Sequence, residues 1–374
     1  MNNPSKEFYT FDGWIINNDA PVTTVTINQG TYGNRTYTAK FTPATYTITL
    51  NGGSGATVDY ETKDYNIETA DFTLPTPTKT NYAFVGWILN NGDPATSVTI
   101  PLGTHEDRTY IASWSLNPVL YFNLSTSENP VILEMRRCPA GSFVRSDSYT
   151  VSITKDFYMG TYEVTNAQYR AIIGDNPHVN IEYRSHIEDN YPVECVKYDE
   201  IIADGGFINL LNNKLSQEGL LPEGYIFALP TEAQWEYACR ANTTTDLNSG
   251  KNIVNKDSKD ANTDEVGWNL FSPNNGTEEV GSHVVGGLAS NSFGLYDMHG
   301  NVFELCNDWY AETYDTTDLI DPKGPPTANA SSTCVIRGGA WEKKPKYSAS
   351  YWRVEQKSSY GYKTIGFRLA LVNE

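Results

Sequence analysis

At 374 residues the chain is too long for one ordinary hydrophobic core and implies two or three domains. Hydrophobic residues make up 39% and charged residues 19%, a balance that suits folded domains rather than disorder. The formal net charge of −18 opposes a phosphate backbone, so nucleic acid is not expected as a partner. No apolar run approaches the roughly 20 residues that span a bilayer.

The first element of organisation is an internal repeat. Residues 11–41 recur at 84–114 with a constant offset and no gaps, pairing Phe11 with Phe84, Trp14 with Trp87, Ile27 with Ile100 and Tyr37 with Tyr110. VTTVTI, RTYTAKF and YTITL alternate β-branched or aromatic residues with polar ones, the period of half-buried strands. One copy fills residues 45–117. The other, within residues 1–44, holds only the later part, which suggests a longer natural chain with further modules. Residues 118–130 read as a linker with a possible strand.

From residue 131 the texture changes to short strands, long loops and few helices, an α+β pattern that continues to residue 374. Residues 165–173 predict a helix capped by Thr165, residues 231–240 one capped by Thr231, and residues 205–214 a third. The five cysteines (138, 195, 239, 306 and 334) form no CxxC pair; they permit one disulfide and leave at least one thiol free. His105, His178, His186, His283 and His299 never fall at helical metal-ligand spacing.

The two repeats, with their aromatic-x-Gly-Trp and closing T-Y-x-A-x-aromatic strand, resemble the Listeria–Bacteroides (internalin B-type) repeat. The resemblance implies small β-grasp-like modules, more spacer than binding surface, on a bacterial cell-surface or secreted protein.

Five later segments stand in the order used by the formylglycine-generating enzyme (sulfatase-modifying factor) family. They are GTYEVTNAQY, YPVECVKYDE, LPTEAQWEYACR, FGLYDMHGNVFELCNDWY and RGGAWEKKPKYS with IGFRLA. The resemblance implies a C-type-lectin-like fold over residues 131–374. Trp235, Tyr237, Trp309 and Phe367 are expected in its core, and Gly338 and Gly339 on a tight backbone path.

Catalytic members hold copper(I) with two cysteines just after the RGG-small-aromatic motif, assisted by a serine. The matching positions here are Lys343, Ser348 and Ala340. An ammonium and a hydroxyl cannot replace two thiolates for a soft ion, so neither copper nor catalysis is expected. The resemblance also implies a structural calcium ion at Asp297, Gly300, Val302 and Glu304, whose oxygens suit a hard cation. The family's second calcium loop matches poorly at residues 267–282 and is not expected to bind.

Residues 337–363 gather seven Lys or Arg in an otherwise acidic chain, together with many rings. Trp341, Glu342, Lys343, Lys344, Lys346, Tyr347, Ser350, Tyr351, Glu355, Tyr360 and Tyr362 form the candidate ligand face, because rings and long cations suit recognition. Trp352 and Arg353 are expected to be structural. The chain is thereby similar to the variable proteins of diversity-generating retroelements, which bind ligands through this segment. Glu342, Lys343 and Lys344 are not residues that randomised AAC-type codons yield.

The expected function is non-catalytic binding of a protein or glycan. The alternatives are an oxidase or another enzyme of the same fold, and a scaffold subunit of a surface or secretion apparatus.

Overall fold

The computed structural model describes residues 2–125, 128–145, 149–177, 186–272 and 281–373. His178 and half of the 267–282 loop, residues 273–280, lie outside them. The chain divides after Asn117 into two compact units, and none of its described helices is long and apolar enough to cross a membrane.

In unit one, the first repeat copy supplies an antiparallel pair, β1 (Tyr9–Ile16) and β2 (Tyr37–Pro43). The second copy supplies β3 (Tyr46–Asn51), β4 (Ala56–Thr57), β5 (Thr62–Tyr65), β6 (Phe72–Thr73), β7 (Thr78–Lys79), β8 (Tyr82–Leu89), β9 (Thr99–Ile100) and β10 (Arg108–Leu116). Six of these form one sheet in the order β4-β7-β8-β10-β3-β5, with β10 parallel to β3. No helix occurs among the described residues of this unit.

The shared sequence of the two copies produces the same local backbone. The pairing skips a residue between Phe11 and Gly13, and again between Phe84 and Gly86. Both glycines have positive φ, and a Cβ would fall 2.8 Å from Val22 backbone in one and 2.6 Å from Ala95 backbone in the other, so only glycine fits. Asn17–Asn18 and Asn90–Asn91 turn left-handed at matching positions.

Unit two opens with β11 (Val119–Asn123) and β12 (Ile132–Cys138). There follow β13 (Gly141–Arg145), β14 (Tyr149–Ile153), β15 (Phe157–Gly160), α1 (Asn166–Ile173), α2 (Tyr198–Ile202), α3 (Phe207–Gln217), β16 (Tyr225–Ala228) and α4 (Glu232–Arg240). The last elements are β17 (Phe303–Trp309), β18 (Thr333–Arg337), β19 (Arg353–Lys357), β20 (Ile365–Phe367) and β21 (Ala370–Asn373). One sheet runs β11-β12-β15-β21-β16 and a second runs β19-β18-β17-β20, beside the separate hairpin β13-β14. The final strand is thus paired inside the sheet that the unit's first strands build.

Thr165 and Thr231 both close full capping boxes, each with a Gln three residues on. Trp235, Tyr237 and Phe367 are buried as expected, whereas Trp309 is half-buried against the Tyr198 ring. Residues 119–123, within the segment read from sequence as a linker with a possible strand, form a strand of the main sheet. Their alternation buries Leu120 and Phe122, and the Phe122 ring packs edge-on to Phe227. The disulfide that the cysteine count permits is absent: all five cysteines are free and buried. Burial pushes the Cys239 and Cys334 thiols up to about 12, so they are inert apolar side chains.

Candidate ligand face and acidic pocket

The C-terminal face starts from the RGG turn. Gly338 and Gly339 both have positive φ, and a Cβ on Gly339 would lie 2.6 Å from Ser348 Oγ. The absence of a side chain at Gly339 lets residues 339–348 fold back on themselves, ending in a 3-10 turn over Pro345–Ser348. Ser348 sits inside that fold, and its carbonyl is 2.7 Å from Nδ1 of the buried His299. Burial lowers His299 to about 4, so the ring is neutral and structural.

The candidate residues then separate. Trp341 is buried and Ser350 is fully buried with its hydroxyl on the Asp246 carbonyl. Neither can touch a ligand, which corrects the sequence-based face at those two positions. Tyr351 packs beside Trp352 on a small apolar cluster. Glu355 lies on β19 and accepts from Thr333, with no described bond to the lysines.

Two groups remain near solvent. Glu342 pairs with Lys343 at 3.0 Å and with Lys363 at 3.2 Å. Lys344 and Lys346 both reach Asp257, at 3.2 and 2.7 Å, beside Tyr347. Tyr360 and Tyr362 are exposed. The basic stretch is therefore largely balanced by acids, and Asp257 was not legible because it comes from a loop distant in sequence.

Of the remaining cations, Lys357 is exposed, Arg337 is fully buried and Arg353 is partly buried. Arg337 gives Nη2 to Glu236 at 2.6 Å and Nη1 to the Trp352 carbonyl. Arg353 clamps both oxygens of Glu232, at 2.8 and 2.7 Å, and so serves the structural role expected of it. Arg145 and Arg240 complete the ring around Glu236, at 3.3 and 2.8 Å.

The expected calcium residues occupy a buried acidic pocket. Asp297 has left-handed φ; its Oδ2 accepts from Gly286 N at 2.6 Å, while Oδ1 is buried without a hydrogen-bond partner. Glu163, absent from the expected set, accepts from Asn301 and from Val302 N at the same place. Burial raises both carboxyls, Asp297 to about 6, and their mutual repulsion raises Glu163 further. Glu304 differs from them. Its two oxygens take Arg368 at 2.6 and 2.8 Å, and Trp235 Nε1 shares one of them at 2.6 Å. An orphaned oxygen beside an unbalanced carboxylate fits a hard cation on the Asp297 side. The Glu304 side is already balanced by a guanidinium. Among the described residues no three His, Cys, Asp or Glu side chains converge as a metal cluster.

This mostly β scaffold, with a few short helices and a C-terminal RGG turn, defines the class of protein. The Sulfatase-modifying factor enzyme 1-like domain profile matches residues 123–372, and the chain belongs to that family. The Listeria-Bacteroides repeat domain profile matches residues 46–112.

The chain is 31% identical over 149 residues to the Bos taurus formylglycine-generating enzyme, covering 38% of each chain. It therefore spans well under two thirds of that relative's length. It is 29% identical over 240 residues to the chaperone protein LppX of Paenibacillus barcinonensis, covering 54% of this chain and 80% of that one. Among solved structures, Treponema denticola variable protein 1 is similar at 26% identity and a TM-score of 0.55, over 68% of this chain and 99% of that chain. PvdO from Pseudomonas aeruginosa shares the fold at 23% identity and a TM-score of 0.51, over 69% of this chain and 99% of that chain.

Proposed function

We propose that unit two is a non-catalytic binding domain with a C-type-lectin-like scaffold, displayed at a bacterial cell surface on β-grasp-like spacer modules. The observation that carries this reading is the content of the two copper-thiolate positions, which are Lys343 and Ser348. All five thiols of the chain are buried, so none is available to replace them. The similarity to a variable protein supports the same reading.

The ligand meets Lys343, Lys344, Lys346, Tyr347, Tyr360 and Tyr362, where ammonium groups and exposed rings adjoin. Such a surface suits a protein or glycan carrying acidic groups, once the weak pairs with Glu342 and Asp257 exchange for ligand contacts. A protein ligand has a separate argument in the likeness to a relative named as a chaperone over 80% of its length.

The test is to probe glycan and protein arrays with the full chain, then with Lys343→Ala, Lys344→Ala and Tyr347→Ala combined. A loss of about tenfold or more is expected, the scale of one to two lost hot-spot contacts. Undiminished binding would remove the ligand from this face. Copper-dependent turnover of a cysteine-type sulfatase peptide would overturn the non-catalytic reading.

A calcium ion is proposed at Asp297, with the Gly300 and Val302 carbonyls, supported by the orphaned Asp297 oxygen. When bound, it would supply compensating charge to Asp297 and Glu163. Calcium should raise the thermal midpoint of the wild-type chain and leave Asp297→Asn unmoved.

A further inference from the structure

A cavity of about 280 Å³ opens in unit two where the start of α4 meets the end of β17 and the loop that follows it. It shares no lining residue with the lysine face or with the Asp297 pocket. Ala233, Trp309, Pro322 and Pro325 supply apolar lining, while Arg145, Arg353 and Tyr314 bring charge and a ring. Gly324 has positive φ, and a Cβ on it would lie 2.8 Å from Asp308 Oδ1, so glycine lets the loop close against that carboxyl.

Arg145 is 4% exposed, yet its Nε and Nη2 have no hydrogen-bond partner. Nε lies 3.3 Å from Glu236 Oε2, an ion-pair contact without hydrogen-bond alignment. The guanidinium stacks on Tyr314, 4.2 Å from the ring centroid, and Arg353 stacks on the same ring at 4.3 Å. Tyr314 in turn donates its hydroxyl to Glu232 Oε1 at 3.1 Å. Buried donors are normally paired because an unmet one costs free energy, so the free fork of Arg145 marks a place for an acceptor. Parallel N–H groups of this kind suit a carboxylate.

Charge points the same way. Among the described residues, Arg145, Arg240, Arg337 and Arg353 ion-pair with two carboxylates, Glu232 and Glu236. Asp308 adds a third acid, but burial pushes its carboxyl up to about 7. The interior therefore holds excess positive charge. Asp315 and Asp318 also line the cavity but are exposed, so its mouth has the opposite sign. The Thr317 hydroxyl and N–H donate to Asp315 Oδ1 and hold that carboxyl below its usual range, hence ionised.

We propose that this cavity binds a small zwitterion, an α-amino acid with an apolar side chain. Its carboxylate accepts from Arg145, its ammonium lies at the mouth beside Asp315 and Asp318, and its side chain packs on Trp309 and the prolines. The two mouth acids oppose a polyanion, and the guanidinium groups oppose a plain cation.

The test titrates the full chain with L-leucine and L-phenylalanine up to about 10 mM, following heat and amide exchange together. One-to-one binding is expected, with slowed exchange across residues 311–324. N-acetyl-L-leucine lacks the ammonium and L-leucinamide lacks the carboxylate; each should bind at least about tenfold more weakly. Asp315→Asn combined with Asp318→Asn, at exposed positions, should weaken L-leucine about three- to tenfold and leave N-acetyl-L-leucine no weaker. Arg145→Gln should abolish binding with native circular dichroism; if that variant does not fold, the ligand series on the wild-type chain decides. Absence of both heat and protection with either amino acid would overturn the proposal, as would binding that leaves residues 311–324 unprotected. N-acetyl-L-leucine binding as tightly as L-leucine would also overturn it, by making a plain acid the ligand.

Discussion

Arg368 and Glu304 show how a buried ion pair is kept in this fold. Arg368 is fully buried, yet every face of its guanidinium has a role: Glu304 accepts from Nε and Nη2, and the Gly160, Thr161 and Tyr296 carbonyls take the rest. Removing either charge alone leaves the other uncompensated in a dry site. Arg368→Met is expected to cost about 3–5 kcal/mol in denaturant unfolding. A loss below ~1 kcal/mol would mean that water replaces the missing partner.

Asp308 makes an opposite use of burial. Desolvation, reinforced by Glu232, pushes its carboxyl up to about 7 despite the Glu232 N–H that it accepts and the nearby Arg145 and Arg353. The folded state thus holds a proton that the unfolded chain releases near pH 4. The stabilisation is complete below that value and is lost as pH rises toward 7. Asp308→Asn is neutral throughout. Its stability relative to wild type should improve by ~1.4 kcal/mol per pH unit across this window and level off above it. A constant difference at all pH values would place the folded carboxyl at its ordinary value.

At the scale of elements, β16 is an open end of the five-stranded sheet, and α3 covers it with one side chain. Asn212 donates Nδ2 to the Phe227 carbonyl at 2.9 Å and accepts from Phe227 N at 2.8 Å, imitating a further strand. Asn212→Leu keeps the branched side-chain shape but abandons both backbone groups. The expected loss is about 2–4 kcal/mol from two unmet polar groups, with a concentration-dependent tendency to pair edges. Unchanged stability in a urea series would show that water satisfies that edge.

The elements also divide by how they were legible. Both capped helices could be read because Thr165 and Thr231 place a cap, a glutamine and an apolar stripe within one local window. α2 could not: it has five residues, and the side chain of its N-cap residue, Lys197, caps no backbone group. The matching hairpins were legible through the repeat itself. The lysine face was misjudged in charge because Asp257 enters it through tertiary folding alone, and in composition because burial removes Trp341 and Ser350. Glu163 was missed in the same way. It stands in the EVTN segment, whereas Asp297 and Val302 come from a loop far along the chain, and nothing local announces that they meet.

The whole molecule raises a question of where unit two begins, since sequence texture puts the change at residue 131 and the structure puts it after Asn117. The difference is β11. It pairs residue for residue with β12 from Val119 opposite Arg136 to Asn123 opposite Ile132, and inserts Leu120 and Phe122 into the core. A period-2 strand of five residues bounded by Pro118 and a polar tail looks like linker, because its burial is set by β12, β16 and Phe227 rather than by its neighbours. Burying a Leu and a Phe contributes roughly 1.5–3 kcal/mol each, a large share of the ~5–15 kcal/mol that holds a domain folded. A chain starting at Val131 should therefore unfold at markedly lower denaturant than one starting at Pro118, by ~3–6 kcal/mol, and should expose β12 as a new edge prone to association. Parallel urea titrations of the two fragments decide it: equal midpoints would return residues 118–130 to the role of a tether.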